Sequence, residues 1–184
     1  MAPILPGSRS APHDEAIILA LGGNLAGDYP SLEALLEAAL SAFPRAGLRV
    51  IRRSGWWRSA AWPDPSLPAY LNGVAVVETG LSPQALLAAT LALEAEFGRA
   101  RGQPNAARTL DIDLIAYGRA VVDAAGLTLP HPRAAERRFV MGPLAEIAPD
   151  WVHPTIERTA AELAARAPIG ADALPLLASA WPER

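Results

Sequence analysis

The chain has 184 residues, of which 51% are hydrophobic and 19% are charged, and its formal net charge is −3. This composition is typical of one globular domain that is long enough to bury a hydrophobic core, and the negative charge argues against general nucleic-acid binding. The sequence contains no cysteine, which excludes disulfides and thiolate chemistry. It also contains no lysine, which excludes Schiff-base chemistry and the lysine of a P-loop.

Residues 1–14 are rich in proline and lack apolar periodicity, which predicts a disordered tail before a single domain over residues 15–184. The longest apolar run near the N-terminus, "AIILAL", is too short to cross a bilayer and follows no signal-peptide pattern. We therefore expect a cytoplasmic protein that does not bind membranes. We also expect a monomer.

The first half of the domain alternates strand and helix patterns. The stretch "EAIILALG" predicts a central strand, "GGNLAGD" a tight turn, and "PSLEALLEAALSAF" an amphipathic helix with Pro30 in its first turn. "LRVIRRSGWW" predicts a second strand, in which Trp56 and Trp57 pack structurally. A proline-rich loop over 58–69 then leads to a third strand, "YLNGVAVVET".

The second half begins with a helix predicted by "SPQALLAATLALEAEF", with Ser82 as N-cap and Pro83 at the first helical position. A loop over 98–107 precedes a fourth strand, "RTLDIDLIAYG". This order predicts an α+β fold of the ferredoxin-like type, a split β-α-β-β-α-β antiparallel sheet with helices on one face. "GRAVV" and "LTLP" predict short edge strands, and "PLAEIAP" and "TIERTAAELAARA" predict helices. His153 is predicted to lie in a turn, and the last dozen residues are predicted to form a tail whose structure the sequence determines only weakly.

Two aspartates lie side by side on the fourth strand. Leu110, Ile112 and Leu114 alternate with Asp111 and Asp113, the period-two pattern of a strand with one buried face. The two carboxylates then share a face, roughly 6–7 Å apart at the backbone, and repel each other unless positive charge lies between them. Such a pair suits Mg²⁺, which binds carboxylate oxygens together with substrate phosphates.

Positive charge is concentrated around this pair. The arginines between Phe97 and Phe139 are Arg99, Arg101, Arg108, Arg119, Arg133, Arg137 and Arg138. Since arginine clamps phosphate groups, the pattern predicts a nucleotide–metal site rather than acid–base catalysis. The alternative is that both aspartates are solvated or pair with arginine for structural reasons, and the strand taken alone favours that alternative.

Six segments together resemble a known family over roughly residues 15–154. They are "ALGGNLAGD", "YLNGVAVVET", "GRAR", "RTLDIDLIAYG", "LTLPHP" and "ERRFVMGPLAEIAPD". Their order and spacing are similar to those of 6-hydroxymethyl-7,8-dihydropterin pyrophosphokinases. The resemblance implies transfer of the pyrophosphoryl group of ATP to the pterin hydroxymethyl in folate biosynthesis, with release of AMP. It also implies the split ferredoxin-like fold.

The resemblance further implies roles for individual residues. Asp111 and Asp113 would hold two magnesium ions against the triphosphate, and Arg99 and Arg108 would join them as catalytic residues. The residues expected at ATP are Glu94, Arg99, Arg101, Arg108, Thr128, His131 and Arg137. The residues expected at the pterin are Ser59, Trp62, Tyr70, Asn72, Asp111 and Phe139. Tyr70 and Phe139 would stack on the two faces of the ring, and His131 would contact phosphate rather than act as a strong base.

The sequence departs from the family pattern in the glycine turn, which reads G-G-N where many members read G-S-N, and at three other positions. Asn105 stands where a tryptophan of the closing loop is common, Leu91 where glutamine is common, and Gly126 where some members have arginine. These departures put lid closure by loops 58–69 and 98–107 in doubt and leave an inactive paralogue conceivable. Two other classes stay open. A ferredoxin-like binding module would not need the aspartate pair beside arginines, and a magnesium-dependent nuclease should show a broad basic surface.

Overall fold

An antiparallel sheet organises the α+β fold. The computed structural model describes residues 15–61, 64–98 and 109–176. The strands are β1 (Ile17–Gly23), β2 (Arg49–Arg53), β3 (Trp57–Ser59), β4 (Tyr70–Glu78), β5 (Asp111–Tyr117), β6 (Val122–Ala124), β7 (Leu127–Leu129) and β8 (Leu174–Pro175). The helices are α1 (Leu32–Ala42), α2 (Pro83–Glu96), α3 (Arg138–Ile147) and α4 (Ala160–Arg166), with 3₁₀ turns at Phe43–Ala46 and Ala134–Glu136.

The strand order of the main sheet is β5-β1-β4-β3-β8, and β2 also pairs with β4. Every pairing in this sheet is antiparallel, and β6 and β7 form a separate hairpin. The prediction that the first strand is central is confirmed, because β1 lies between β5 and β4. This order brings the end of β1 and the beginnings of β4 and β5 to the same edge of the sheet.

Both faces of the sheet are covered. Leu19 and Leu21 of β1 belong to a core with α1 and α2. Ile18 and Ala20, which point the opposite way, belong to a second core with α3 and α4. The two helices of the predicted β-α-β-β-α-β unit, α1 and α2, thus lie on one face as expected, and the helices after β5 return to cover the second face. A strand buried on both sides is apolar throughout, which explains the sequence of β1.

The predicted second strand is interrupted. Residues 54–56 separate β2 from β3, although both strands pair with β4. Trp56 turns into the core, where it is 2% exposed, and its indole N–H donates to the Glu37 carboxylate at 2.9 Å. The indole N–H of Trp57 donates to Glu146 at 3.0 Å. Both tryptophans are thus structural, as predicted.

Helix ends follow local caps that the periodicity does not reveal. The Ser31 side chain caps α1, so Pro30 precedes the helix instead of lying in its first turn. The predicted helix over 155–167 begins only at Ala160, where Thr159 and Glu162 form a capping box. Conversely, α3 begins five residues before Pro143. Proline removes one backbone donor there, but burial of the helix face outweighs that loss.

The C-terminal part is more ordered than predicted. The prediction of an undetermined tail is wrong for its first residues, since β8 pairs with β3 through Trp57 and Pro175. In the described part of the chain, no helix combines the length and hydrophobicity that a membrane span requires.

His153 is buried in a turn, as predicted, and its Nδ1 accepts from the backbone N–H groups of Thr155 and Ile156, each at 3.3 Å. Burial, with a smaller contribution from Arg119, lowers the pKa of His153 below its ordinary value of 6.5. Unfolding therefore takes up a proton when the pH falls below about 6.5, so acidification favours the unfolded chain.

We expect the free energy of unfolding to be constant near pH 7.5 and to fall as the pH decreases through 6.5 towards the lower folded-state pKa. His153→Asn places an acceptor oxygen where Nδ1 lies and removes the titrating group, so it should reduce this slope. Denaturant unfolding between pH 5.5 and 7.5 measures it. The slope should not vanish, because the pKa of His131 is also lowered. An unchanged slope in the variant would contradict the assignment to His153.

Candidate active site

A cleft of about 840 Å³ lies at the sheet edge where β1 ends and β4 and β5 begin. Its walls come from the strands β1, β3, β4, β5 and β7, the helices α2 and α3, and the segment 168–170. This volume falls within the range of small-molecule sites. The antiparallel strand order is what brings these separate segments together.

The structure gathers the predicted site residues that it describes around this cleft. They are Ser59, Tyr70, Asn72, Glu94, Asp111, Asp113, Thr128, His131, Arg137 and Phe139. Leu91 and Gly126, two of the positions that depart from the family pattern, also line it. Trp62, Arg99, Arg101, Asn105 and Arg108 lie outside the described residues, so their roles stay predictions.

The aspartate pair lies above the smallest residues of β1. Asp113 is opposite Ala20 and Asp111 is opposite Gly22 in the β1–β5 register. Because residues two apart on a strand share a face, both carboxylates stand on the face that carries α3. The small residues of β1 leave open space beside them, and the Asp113 side chain keeps 35% of its surface exposed.

Arg137 supplies positive charge next to the pair. Its guanidinium nitrogen lies 3.5 Å from the Asp113 carboxylate, and its side chain is 18% exposed. The same guanidinium stands over the Phe139 ring, 5.6 Å from the centroid. One arginine at the start of α3 therefore connects the carboxylates with an aromatic wall, and such a cationic group can also bind phosphate.

His131 is held in one orientation. Its Nδ1 accepts from the backbone N–H of Arg133 at 3.2 Å, so the proton of the neutral ring belongs on Nε2. This Nε2 lies 3.9 Å from Asp113, which is too long for a hydrogen bond. Burial lowers the pKa of His131, and Arg137 and Arg133 act in the same direction, while Asp113 opposes them. The ring is therefore a neutral donor at pH 7.

Two buried polar contacts fix the strands around the cleft. The Asn72 amide nitrogen donates to the Ser59 hydroxyl at 3.0 Å and so joins β4 to β3. Glu94 on α2 is 2% exposed, and its carboxylate accepts from the backbone N–H of Ile112 at 2.6 Å. Among the described strands β5 pairs only with β1, and Glu94 accepts the backbone N–H on the other side of β5, between the two aspartates.

Sequence reasoning missed part of the cleft wall. The sequence pattern gives Arg133 no role beyond its charge and predicts none for Pro168, Ile169 or Gly170, although all four line the cleft. These residues carry no periodic or motif signal that singles them out. Their place follows from the path of the chain after α4, which returns to the cleft.

The residues present fit a divalent cation that is shared with a ligand. No group of three or more His, Asp or Glu side chains able to hold a metal occurs within the described ranges, so the protein itself offers the two carboxylates. Mg²⁺ commonly takes one or two carboxylates and completes its shell with substrate phosphates and water. Paired carboxylates, an arginine and an aromatic wall in one cleft are features of an enzyme that transfers a phosphoryl-type group.

The comparisons with known proteins agree with this class. The family model described as 7,8-dihydro-6-hydroxymethylpterin-pyrophosphokinase (HPPK) matches residues 18–149. The chain is 43% identical over 164 residues to the 2-amino-4-hydroxy-6-hydroxymethyldihydropteridine pyrophosphokinase of Synechocystis, covering 89% of this chain and 81% of that protein. The Methylorubrum extorquens protein of the same name is 42% identical over 134 residues, covering 73% of this chain and 83% of that protein. The chain belongs to the HPPK family.

Solved structures show the same fold at low sequence identity. Wild-type Plasmodium falciparum HPPK-DHPS with pteroate matches with a TM-score of 0.63 and 11% identity over 82% of this chain. This chain covers only 44% of that longer protein. At such identity the likeness shows the fold alone.

Proposed function

We propose that the cleft binds ATP and 6-hydroxymethyl-7,8-dihydropterin together. As a member of its family, the chain transfers the pyrophosphoryl group of ATP to the pterin hydroxymethyl in folate biosynthesis. We propose that AMP is the second product. The meeting of Asp113, Arg137 and Phe139 in one cleft supports this function above all, because it joins groups suited to metal, phosphate and a flat ring.

The pterin side of the proposed site is the part of the cleft nearest β3 and β4. Tyr70 and Phe139 would stack on the conjugated ring. Asn72, oriented by Ser59, would read the hydrogen-bonding edge of the pterin. Trp62 completes the proposed set. Asp111 would contribute to this side as well as to the metal.

The nucleotide side of the proposed site contains Thr128, His131 and Arg137, with Glu94 behind them. His131 would donate from Nε2 to a phosphate oxygen, because its Nδ1 already accepts from the backbone. Arg99, Arg101 and Arg108 would add positive charge. Leu87, Leu91 and Leu127 line the same cleft and offer an apolar surface to the adenine.

Asp111 and Asp113 would hold two magnesium ions, which when bound would neutralise charge on the triphosphate. The hydroxymethyl oxygen would form a bond to the β-phosphorus and release its proton to solvent, while the bond from that phosphorus to the bridging oxygen breaks and AMP leaves with that oxygen. Arg137 would hold the transferred group in line and offset the negative charge of the transition state. Loops 58–69 and 98–107 would exclude water and so limit hydrolysis of ATP.

We also propose the split ferredoxin-like topology, which the order β5-β1-β4 with β2 and β3 beyond it supports. The charge of −3 supports a protein without a nucleic-acid partner. We further propose that the protein is a cytoplasmic monomer that does not bind membranes.

Incubation with ATP, Mg²⁺ and 6-hydroxymethyl-7,8-dihydropterin tests the proposed reaction. We expect AMP to form in a one-to-one ratio with pterin consumed, because attack at the β-phosphorus releases AMP. Nucleotide chromatography at several time points measures this ratio, and a reaction without the pterin is the control. ADP as the stoichiometric product would indicate an ordinary kinase, and absence of pterin-dependent turnover would indicate an inactive paralogue.

A further inference from the structure

The segment from Pro168 to Leu176, here called the C-terminal strap, forms a wall of the cleft beyond the region that the family model matches. That match ends at residue 149, yet Pro168, Ile169 and Gly170 line the cleft. The proposed reaction assigns no role to the strap. Its contacts are made mainly with two parts of the protein that surround the pterin side, the beginning of α3 and the end of β3.

The first contact point is the beginning of α3, which carries Phe139. The backbone N–H of Arg138 donates to the carbonyl of Ile169 at 2.8 Å, and the N–H of Ile169 donates to the carbonyl of Glu136 at 3.0 Å. The strap is thus fixed to the backbone directly beside Phe139.

Gly170 lies against the ring of Phe139 itself. A Cβ added at Gly170 would lie 2.6 Å from the Phe139 Cδ1 atom, closer than van der Waals contact allows. Gly170 also has a φ of +69°, in the left-handed region that disfavours side chains. Only glycine therefore lets the strap support this ring without displacing it.

The second contact point is the end of β3, where the chain leaves the strand after Ser59. The Asp172 carboxylate accepts from the backbone N–H of Ala60 at 2.6 Å. Strand β8 then pairs with β3, and the N–H of Leu176 donates to the carbonyl of Trp56 at 2.8 Å. Ala60 directly follows Ser59, whose hydroxyl accepts from Asn72.

We propose that the C-terminal strap positions the pterin side of the cleft, a role that rests on the proposed function. Gly170 sets the place of the Phe139 ring, and Asp172 sets the beginning of the loop that follows Ser59. Both are positioning residues that act through the groups facing a flat, conjugated substrate. The strap also pairs with Arg137 through Ile169, but its contacts with Phe139 and Ala60 lie on the pterin side, so its influence falls more on pterin affinity than on ATP affinity.

Gly170→Ala tests the contact with the ring. We expect the KM for the pterin to rise about 3- to 10-fold, the loss equivalent to one aromatic stacking contact, while the KM for ATP changes less than about twofold. Gly47→Ala is the matched control, because Gly47 has a similar φ of +77° outside the cleft. Both variants should lose stability through backbone strain, but only Gly170→Ala should change the KM for the pterin.

Asp172→Ala tests the contact with the loop, with Asp172→Asn as the rescuing variant, since asparagine keeps an acceptor oxygen. We expect hydrogen exchange at the Ala60 amide to accelerate about tenfold or more in Asp172→Ala and to return towards wild type in Asp172→Asn. The KM for the pterin should follow the same order. Asp150→Ala, at an exposed site, is the control.

The outcomes separate the strap from the proposed function. If the wild-type protein turns over no pterin, the proposed function is wrong. The proposed role of the strap in pterin binding is then wrong too, whatever the hydrogen-exchange rate of the Ala60 amide. If the wild-type protein is active but Gly170→Ala and Asp172→Ala leave the KM for the pterin unchanged, only the positioning role of the strap is contradicted. Equal increases in the KM for both substrates also overturn it, because they indicate a general structural loss.

Discussion

Replacing Asp113 with alanine is expected to lower the rate of pyrophosphoryl transfer by about 100-fold or more. Removal of one group that stabilises transition-state charge costs about 100- to 1,000-fold in well-studied enzymes, and Asp113 is proposed to bind the metal as well. The carboxylate lies half-buried in the cleft and 3.5 Å from Arg137. Its loss therefore removes a proposed metal ligand and also the contact that holds the Arg137 guanidinium in place.

The fold should survive this change. Loss of Asp113 relieves repulsion with Asp111 but also removes the contact with Arg137. These two effects oppose each other, so their sum should be small. We thus expect a melting temperature without metal that differs little from wild type. A rise on adding Mg²⁺ and ATP should be smaller than in wild type, because less ligand binds the folded state.

Single-turnover rates and Mg²⁺-dependent nucleotide affinity measure the effect of Asp113→Ala. Asp123→Ala is the matched control, because Asp123 is an exposed aspartate on β6. Asp111→Ala should weaken pterin binding more than Asp113→Ala does, if Asp111 also contacts the substrate. Turnover near the wild-type rate in Asp113→Ala would contradict a metal site built on this pair.

Local patterns predicted much of the fold because they report burial directly. The apolar run of β1 indicated a central strand, and the Ser82–Pro83 start of α2 agrees with the structure. The break after β2 could not be read in the same way. It depends on Trp56 turning towards Glu37 on α1, a tertiary contact that leaves no periodic signal in the sequence.

Only part of the candidate site could likewise be predicted from local sequence patterns. Asp111 and Asp113 were predicted from strand alternation, while Tyr70, Asn72 and Phe139 were predicted only from resemblance to a family. The structure places all five at one cleft, although their roles stay predictions.

The strap was missed for a physical reason. Its contacts are mainly backbone hydrogen bonds and one close approach of glycine to a ring. Backbone groups are the same at every residue, so the sequence carries almost no trace of them. The second face of the sheet was missed because the helices that cover it come after β5, where their position depends on the return path of the chain.

Glu94 was expected near the nucleotide, but the structure adds a second role that can be tested. Its carboxylate, buried to 2% exposure, binds the N–H of Ile112, which lies between the two aspartates. Glu94→Ala would leave that buried N–H without this acceptor, at a cost of about 1–3 kcal/mol in the free energy of unfolding. Because a shift of about 1 Å in a catalytic group can cost about 100-fold in rate, we also expect a large loss of turnover.

Glu94→Gln separates position from charge. The glutamine side-chain oxygen can accept from Ile112 in the same place, so a positioning role predicts stability and single-turnover rate within a few-fold of wild type. A direct role of the negative charge at the nucleotide predicts that Glu94→Gln loses activity as Glu94→Ala does, while keeping its stability. Glu96→Ala on the same helix is the control, since Glu96 is exposed and pairs with Arg45 at the surface. Denaturant unfolding and single-turnover kinetics on the three variants distinguish the two roles, and wild-type stability in Glu94→Ala would show that α2 does not hold β5 through this contact.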